Sequence, residues 1–286
     1  MSVLAIRPVA AADASVCGRI FFDAFESLAT RHAFPIEPGS PEFTDFHVHS
    51  MLTTDGIVGL VAVRDDQIVG SAFADERGAI VGIGPVTVDP AVQDVGIGRS
   101  LVQALLDRER ERAAAGVRLV QTAYHYRSLS LYAKLGFAIR EPLSVFQGSV
   151  PHPNTSGRTV RPATLADVDA CDAVCRQVHG HDRSAELATW TGLGTARVVE
   201  KDGHITGYAT GFGYGWHAVG ESNDDITALL ESADAFGGLG ILVPSRNTTL
   251  MAWCLESGLQ LVQQSTLMTI GLYNEPQGAW LPSILY

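Results

Sequence analysis

"VTVDPAVQDVGIGRSLV" (86–102) decides how this chain is read. It opens with β-branched residues, the composition of a strand, and Asp89-Pro90 ends that strand. Beyond it Ile97, Leu101 and Leu105 stand four apart with Val102 alongside, an apolar helix stripe. Arg99, Gln103, Asp107, Arg108, Arg110, Glu111 and Arg112 take the wet face. The "VGIG" at 95–98 is therefore a helix entrance. Such an entrance carries free N–H groups and partial positive charge, and glycines let a phosphate approach the backbone. By itself a Gly-x-Gly entrance is a weak signal.

The same tetrapeptide occurs at 81–84, within "AIVGIGPVTVDP" (79–90). Proline has no N–H for a sheet ladder, so Pro85 marks a bulge, an edge or a strand departure. The glycines of this copy serve close backbone approach rather than phosphate binding. A third echo, "GGLGILVP" (237–244), reads as a turn and a strand.

Working outward gives one unit. A strand at 3–7 precedes a helix over about 11–26, a polar loop at 31–43 and a short helix around 43–53. Two strands, "IVGLVAVRD" and "QIVGSAFADE", flank a turn at Asp65-Asp66. Then come the strand through Pro85, the helix after VGIG, a strand at 117–123, a helix at about 127–135 capped by Gly136, and a last strand. The order is β-α-α-β-β-β-α-β-α-β.

That unit has an echo. "AIRPVAAADASVCGRI" (5–20) aligns with "TVRPATLADVDACDAV" (159–174), pairing Arg7-Pro8 with Arg161-Pro162, Asp13 with Asp167 and Cys17 with Cys171. "RDDQIVGSAFA" (64–74) aligns with "EKDGHITGYAT" (200–210), and "SLYAKLGFAI" (130–139) with "AWCLESGLQL" (252–261). Three collinear matches at unequal spacings indicate duplication with insertion and deletion, not a solenoid. "SVPHPNTSGRTV" (149–160) reads as the joint. The expected domains are 1–148 and 159–286, with a linker at 149–158.

Composition bounds the partners. The chain has 286 residues, 46% hydrophobic, and a formal net charge of −11. That balance argues against nucleic acid or an anionic membrane surface as the main partner. No stretch approaches about 18 consecutive apolar residues, so no membrane span is expected. The start lacks the basic and apolar regions of a signal peptide, and the cytoplasm is the expected location. Cys17, Cys171, Cys175 and Cys254 form no CxxC, and no metal site is expected.

The order of elements, "VTVDPAVQDVGIGRSLV" and "HYRSLSLYAKLGF" (125–137) together resemble the GNAT superfamily of N-acetyltransferases. The likeness covers residues 1–148 well, and the C-terminal half looks like a diverged copy. The resemblance implies an α/β (α+β) fold of tandem GNAT-like domains. Each has a mixed, mostly antiparallel central sheet flanked by helices, with a splayed central strand pair. It implies acetyl-CoA as co-substrate. Gln93, Gly96 and Gly98 fill the family's cofactor motif, and the pyrophosphate falls on the backbone of Asp94, Val95, Gly96, Ile97, Gly98, Arg99 and Ser100. The pantetheine arm falls along Val86, Thr87 and Val88. An N–H near Thr87–Val88, taken here as that of Val88, would stabilise the tetrahedral oxyanion. Tyr132, with Gly136 and Phe137 after it, takes the place of the general acid that protonates the CoA thiolate; a core tyrosine is the plainer alternative. His125 stands where the family often has a cofactor-contacting asparagine, and both ligand contact and plain surface histidine stay open.

The resemblance points to acetyl transfer onto the primary amine of a small molecule by direct attack. A non-catalytic acyl-CoA-binding or regulatory protein is the rival reading. No base is legible: an amine of pKa ~10 must lose a proton, and His47, His49, Asp75, Glu76 and Tyr124 are the candidates. In the second half "NDDITALL" lacks Gly-x-Gly, and Asp224 and Asp225 stand where pyrophosphate would be, so that half is expected not to bind acetyl-CoA. Monomer and homodimer both stay open. A Rossmann or P-loop site is excluded, since neither GxGxxG nor GK[ST] follows a strand.

Overall fold

The four-residue spacing after VGIG becomes a buried stripe: Ile97, Leu101, Val102 and Leu105 are each 2% exposed or less. A computed structural model describes residues 4–37, 39–150 and 157–285. The chain falls into two compact units. Unit 1 is Met1–Ala138 with Met268–Leu272 and Leu285; unit 2 is Ile139–Leu267 with Tyr273–Ile284.

Unit 1 runs β1 (Leu4–Pro8), α1 (Ala14–His32), α2 (Pro41–Thr53), β2 (Ile57–Arg64), β3 (Gln67–Asp75), β4 (Ile80–Val88), α3 (Ile97–Glu111), β5 (Gly116–Thr122) and α4 (Tyr126–Lys134). The start of the strand expected at 3–7 lies outside the described residues. β1 to β4 pair in order, all antiparallel. β4 and β5 are parallel and pair only over Ile80↔Gly116, Val81↔Val117 and Gly82↔Arg118. Beyond Gly82 the two strands part.

The β3–β4 register steps from Ala72↔Val86 to Ala74↔Ile83, which leaves an extra residue at Gly84-Pro85. This is the bulge that Pro85 announced. The Asp65-Asp66 turn has φ of 51° and 60°, the paired positive values of a tight hairpin.

Helices cover both faces of this sheet. Ala14, Cys17 and Phe21 of α1 pack with Val48 and Met51 of α2 on Val61 and Phe73. Leu101 and Leu105 of α3 and Tyr132 of α4 pack with Ala72, Val81 and Leu119 on the other face. α1 runs beyond the expected end near 26. It stops at Ala33, in the left-handed region at φ 56°, whose N–H reaches the carbonyls of Ala29 and Thr30. No glycine marks that stop, so it carries no sequence signal.

Unit 2 holds β6 (Ala138–Gln147, from Ile139 on), β7 (Thr159–Pro162), α5 (Val168–His179), α6 (Ser184–Gly192), β8 (Arg197–Lys201), β9 (His204–Ala209), β10 (Ala218–Gly220), α7 (Asn223–Glu231), β11 (Ile241–Pro244) and α8 (Thr248–Glu256). β12 (Gln260–Gly271) begins here, and β13 (Ala279–Leu281) closes the set. From β7 to β12 the element order repeats that from β1 to β6.

One sheet runs β13-β10-β9-β8-β7; elsewhere in the unit β6 lies between β11 and the first part of β12. The last residues of β12 instead neighbour β5 in unit 1, where Leu272 N–H donates to Ala115 O at 2.9 Å. Residues 139–148, given by sequence to the first domain, thus count with unit 2, and 268–272 with unit 1. Of the expected linker 149–158, residues 151–156 lie outside those described. Among the described residues no helix is long and apolar enough to cross a membrane.

The matched sequence pairs prove to be scaffold. Arg7 Nη1 and Nη2 reach Asp13 at 2.6 and 3.1 Å, and Arg161 reaches Asp167 at 2.8 Å through each Nη. Each aspartate also accepts the N–H of the residue three before it, Ala10 at 2.7 Å and Thr164 at 2.8 Å. The arginine so ties the end of a strand to the start of a helix. All four cysteines are buried and free.

Candidate active site

The strand departure and the helix entrance meet at the end of β4. On the side of β5, β4 has no strand partner beyond Gly82 among the described residues, and this leaves the edge of Val86–Val88 open. Thr87 is buried, with its hydroxyl 3.1 Å from that of Ser71, which fixes the strand from behind. Gln93 Nε2 donates to Val88 O at 3.1 Å and ties the loop to the strand's end.

The loop turns through Asp94 (φ 71°) and Gly96 (φ 90°, the N-cap of α3). No side chain caps this helix, and a Cβ on Gly96 would meet nothing within 4 Å. The first acceptor inside the helix serves Ser100, whose N–H reaches Gly96 O at 3.0 Å. The N–H groups before it belong to the first turn, which has no intrahelical acceptors. A Cβ on Gly98 would lie 3.6 Å from Val88 and 3.7 Å from Leu131, so β4, α3 and α4 converge there.

Asp94 and Val95 are exposed, as is Arg99. The carboxylate of Asp94 is paired with Arg127 at the start of α4. That pairing neutralises an acidic side chain beside an entrance suited to an anion.

Tyr132 is buried in the cluster that also takes Val86 and Val88 against its edge, and its ring meets Phe137 edge-on at 5.8 Å. Burial pushes its hydroxyl up to about 12, so the phenol keeps its proton at neutral pH. His125 is the N-cap residue of α4. Burial first, then the nearby charges of Arg127, His32 and Arg31, pull its imidazole down to about 4. It is neutral at pH 7. Gln121 secures that corner: its amide nitrogen donates to His125 O at 2.9 Å, to Ser128 Oγ at 3.1 Å and to Thr122 O.

The base candidates scatter. Asp75 is held by Arg77, whose Nε lies 2.8 Å away. Glu76 is held by Arg108 at 2.6 and 3.0 Å, near the far end of α3. Ile97 to Arg108 rises about 16 Å, so Glu76 is remote from Gly96. His49 is exposed and bonds its own helix at Asp45 O, 2.9 Å away. His47 lies between Phe21 and Phe43, and burial lowers its pKa. Tyr124 alone stands beside His125. Burial, then Glu37, pushes its hydroxyl up to about 12, which disfavours a basic role.

Phe34 stacks on Tyr124 at 4.1 Å and 3°, and His32 lies 5.4 Å from the same ring. This aromatic group joins the end of α1 to the end of β5. Sequence reading missed it, because residues 31–43 show no periodicity.

The corresponding place in unit 2 is built shut. Asp225 accepts from Ser222 N–H (2.9 Å) and hydroxyl (2.7 Å), Thr206 Oγ1 (2.6 Å) and Arg158 Nε (2.6 Å). It is 1% exposed. Asp225 therefore holds the helix entrance in an ion pair and does not present an open charge there, as sequence alone suggested; Asp224 is the exposed one. Arg158, expected at the end of the linker, is buried in that pair. Asn247, the N-cap residue of α8, exchanges hydrogen bonds with Asn223 at 2.7 and 3.1 Å. The edge of β10 is taken by β13, with Ala218↔Leu281, Val219↔Trp280 and Gly220↔Ala279.

Comparison with known proteins agrees with this geometry. Residues 22–137 match the model of the acetyltransferase (GNAT) family. A protein of Pyrococcus horikoshii provisionally assigned as an acetyltransferase shares the fold, with TM-score 0.73 at 20% identity over 96% of this chain and 94% of that one. A GCN5-related N-acetyltransferase of Sphaerobacter thermophilus gives 0.59 at 14% identity over 95% and 96%. The mycothiol acetyltransferase of Nocardia farcinica is 38% identical over 77 residues, which are 26% of this chain and 25% of that relative's length. The fold is thus shared along nearly the whole chain, and the match to the GNAT family model falls on residues 22–137, where the open strand edge and uncapped helix lie.

Proposed function

We propose that the chain is an acetyl-CoA-dependent N-acetyltransferase in which residues 1–148 carry the chemistry and 159–286 are a diverged copy that does not bind the cofactor. One observation carries the reading. An unpaired strand edge, Val86–Val88, leads directly to an uncapped helix entrance at Gly96. Unsatisfied N–H groups on an edge and at a helix start suit a peptide-like arm ending in a pyrophosphate.

In this reading the N–H groups of Asp94 to Ser100 take the pyrophosphate, and the pantetheine pairs with Val86, Thr87 and Val88. The Val88 N–H faces the thioester oxygen and stabilises the oxyanion. Gln93 holds the carbonyl of the same residue and keeps that N–H aimed. The neutral amine adds to the thioester carbon, the C–S bond breaks and Tyr132 gives its proton to the departing thiolate; the proton shed by the new amide nitrogen returns through water to the phenolate. A phenol whose pKa is about 12 holds that proton at any physiological pH. His125 is neutral and borders the site.

The acceptor is a primary amine of a small molecule that enters beside His32, Phe34 and Tyr124. The Nocardia relative, a mycothiol acetyltransferase, is in keeping with a small acceptor.

Calorimetric titration with acetyl-CoA should show one site per chain; no heat at millimolar cofactor sinks the reading. A CoA-release screen over polyamines, amino acids, aminoglycosides and peptide N-termini then finds the acceptor. Binding without release on any amine would favour the non-catalytic alternative.

A further inference from the structure

A carboxylate at an anion-binding entrance calls for a reason. Asp94 takes a φ of 71° in the loop before α3, a region that aspartate and asparagine tolerate better than most side chains. Asparagine would serve that turn without a charge. What the carboxylate adds is a partner: Asp94 Oδ1 accepts from Arg127 Nη2. Arg127 lies in the first turn of α4, and a second contact fixes which way that turn faces. Residues 127 and 131 are one turn apart on the same helix face, and Leu131 lies 3.7 Å from where a Cβ on Gly98 would be. That face of α4 is therefore turned to the entrance of α3. After burial, the charge of Arg127 is the strongest pull on the His125 imidazole, which borders the same site. The pair itself stands in water, its side chains 47% and 70% exposed. An ion pair so exposed contributes little, so the arginine loses little on leaving it.

A pyrophosphate on the N–H groups of Asp94 to Ser100 would come beside this guanidinium and beside the carboxylate that holds it. It attracts the first and repels the second. The planar fork of an arginine meets phosphate oxygens through parallel N–H donors, and such charge-assisted bonds are roughly twice as strong as neutral ones. We propose that Arg127 is a cofactor-binding residue, whose guanidinium rests on Asp94 in the free chain and passes to the pyrophosphate when acetyl-CoA binds. Asp94 is then an internal competitor that limits how tightly the cofactor is held. The inference rests on the acyl-CoA reading above.

The test titrates CoA and 3′-dephospho-CoA into the full chain and into Asp94→Asn, Arg127→Gln and the double variant, by calorimetry. Both side chains are exposed, so each variant should keep the Tm of the parent without cofactor. Asp94→Asn should tighten CoA by about two- to fivefold, the worth of an exposed ion pair. Arg127→Gln should weaken CoA by about 10–100-fold, and should still weaken it about tenfold or more when Asp94 is already asparagine. If the arginine has no effect in that background, it only screens Asp94 and the proposal is overturned. CoA affinity that is unchanged or weaker in Asp94→Asn removes the competition and overturns it as well. The loss in Arg127→Gln should be equal for 3′-dephospho-CoA, which keeps the pyrophosphate; a loss confined to CoA moves the guanidinium to the 3′-phosphate, against the proposal. If the wild-type chain itself binds no CoA, the cofactor reading falls, and that outcome is distinct from all of these.

Discussion

Gly96 before α3 and Ser222 before α7 stand at the same point of the repeated element order, and the chain treats them in opposite ways. At Gly96 the first-turn N–H groups have no cap, and the neighbouring strand edge has no partner among the described residues. At Ser222 a buried aspartate takes the N–H and hydroxyl, an arginine balances it, and β13 pairs with the strand edge. Exposed backbone donors forgo stability that internal partners would give. The second region has those partners, and they occupy what the first leaves for a ligand. Open polar backbone is what separates a candidate site from a finished scaffold.

Four experiments press on that contrast. The largest effect belongs to Tyr132→Phe. Removing the proposed proton donor should lower turnover by about 10²–10⁴-fold while acetyl-CoA affinity holds; unchanged turnover on an accepted amine would remove the general-acid assignment. Gly96→Glu comes next. It places a carboxylate and a side chain at φ 90°, and should cost acetyl-CoA at least ~100-fold in affinity, read as loss of the cofactor-induced rise in Tm. A persisting rise would show that the phosphate sits elsewhere.

The third experiment is on the closed side. Asp225→Ala strips a buried pair and should destabilise the chain by about 3–5 kcal/mol, measured by denaturant unfolding, with acetyl-CoA stoichiometry still one per chain. A second bound cofactor in that variant would mean that the aspartate alone closes the entrance.

The smallest effect lies at the far end of α3. Glu109 is 2% exposed, and its Oε1 has no hydrogen-bonding partner among the described residues. Burial, and Glu76 beside it, push its carboxyl up to about 7, while Arg112 at 2.6 Å pulls the other way. A raised acid favours the folded state when protonated. Its contribution is complete below the ordinary value near 4.5 and is lost as pH climbs toward 7. Glu109→Gln should therefore flatten the decline in Tm between pH 5 and 7.5 and stabilise the chain at pH 8 by roughly 1–3 kcal/mol. Because this cluster is distant from Gly96, acetyl-CoA affinity should not follow; if it does, the two ends of α3 are coupled.

Much of the scaffold was legible in the sequence because local rules govern it. Helix spacing placed α3, paired acidic residues placed the Asp65-Asp66 hairpin, and Pro85 announced the bulge. The matched motifs of the two halves, Arg7–Asp13 against Arg161–Asp167 foremost, were legible too, and they turned out to hold strands to helices. The helix entrance was readable through Gly96. What escaped were partners distant in sequence: Phe34 on Tyr124, Arg158 on Asp225, β13 on β10, and Arg127 on Asp94. No periodicity links such positions, since each contact depends on how the strands are ordered. The resemblance of the halves carried information about fold, and their departures from each other carried information about function.

The assignment of Met268–Leu272 to unit 1 has a consequence for how the chain is made. The half that leads in sequence lacks its neighbour for β5 until residue 272 has left the ribosome. At synthesis rates of about 5–20 residues per second, roughly 8–30 seconds pass between the emergence of β5 and its completion. A fragment cut at the apparent linker, ending at 148, would never receive that strand. The candidate site at Gly96 is encoded early and its sheet is finished late, and nascent chains should gain acetyl-CoA binding only after residue 272 has emerged.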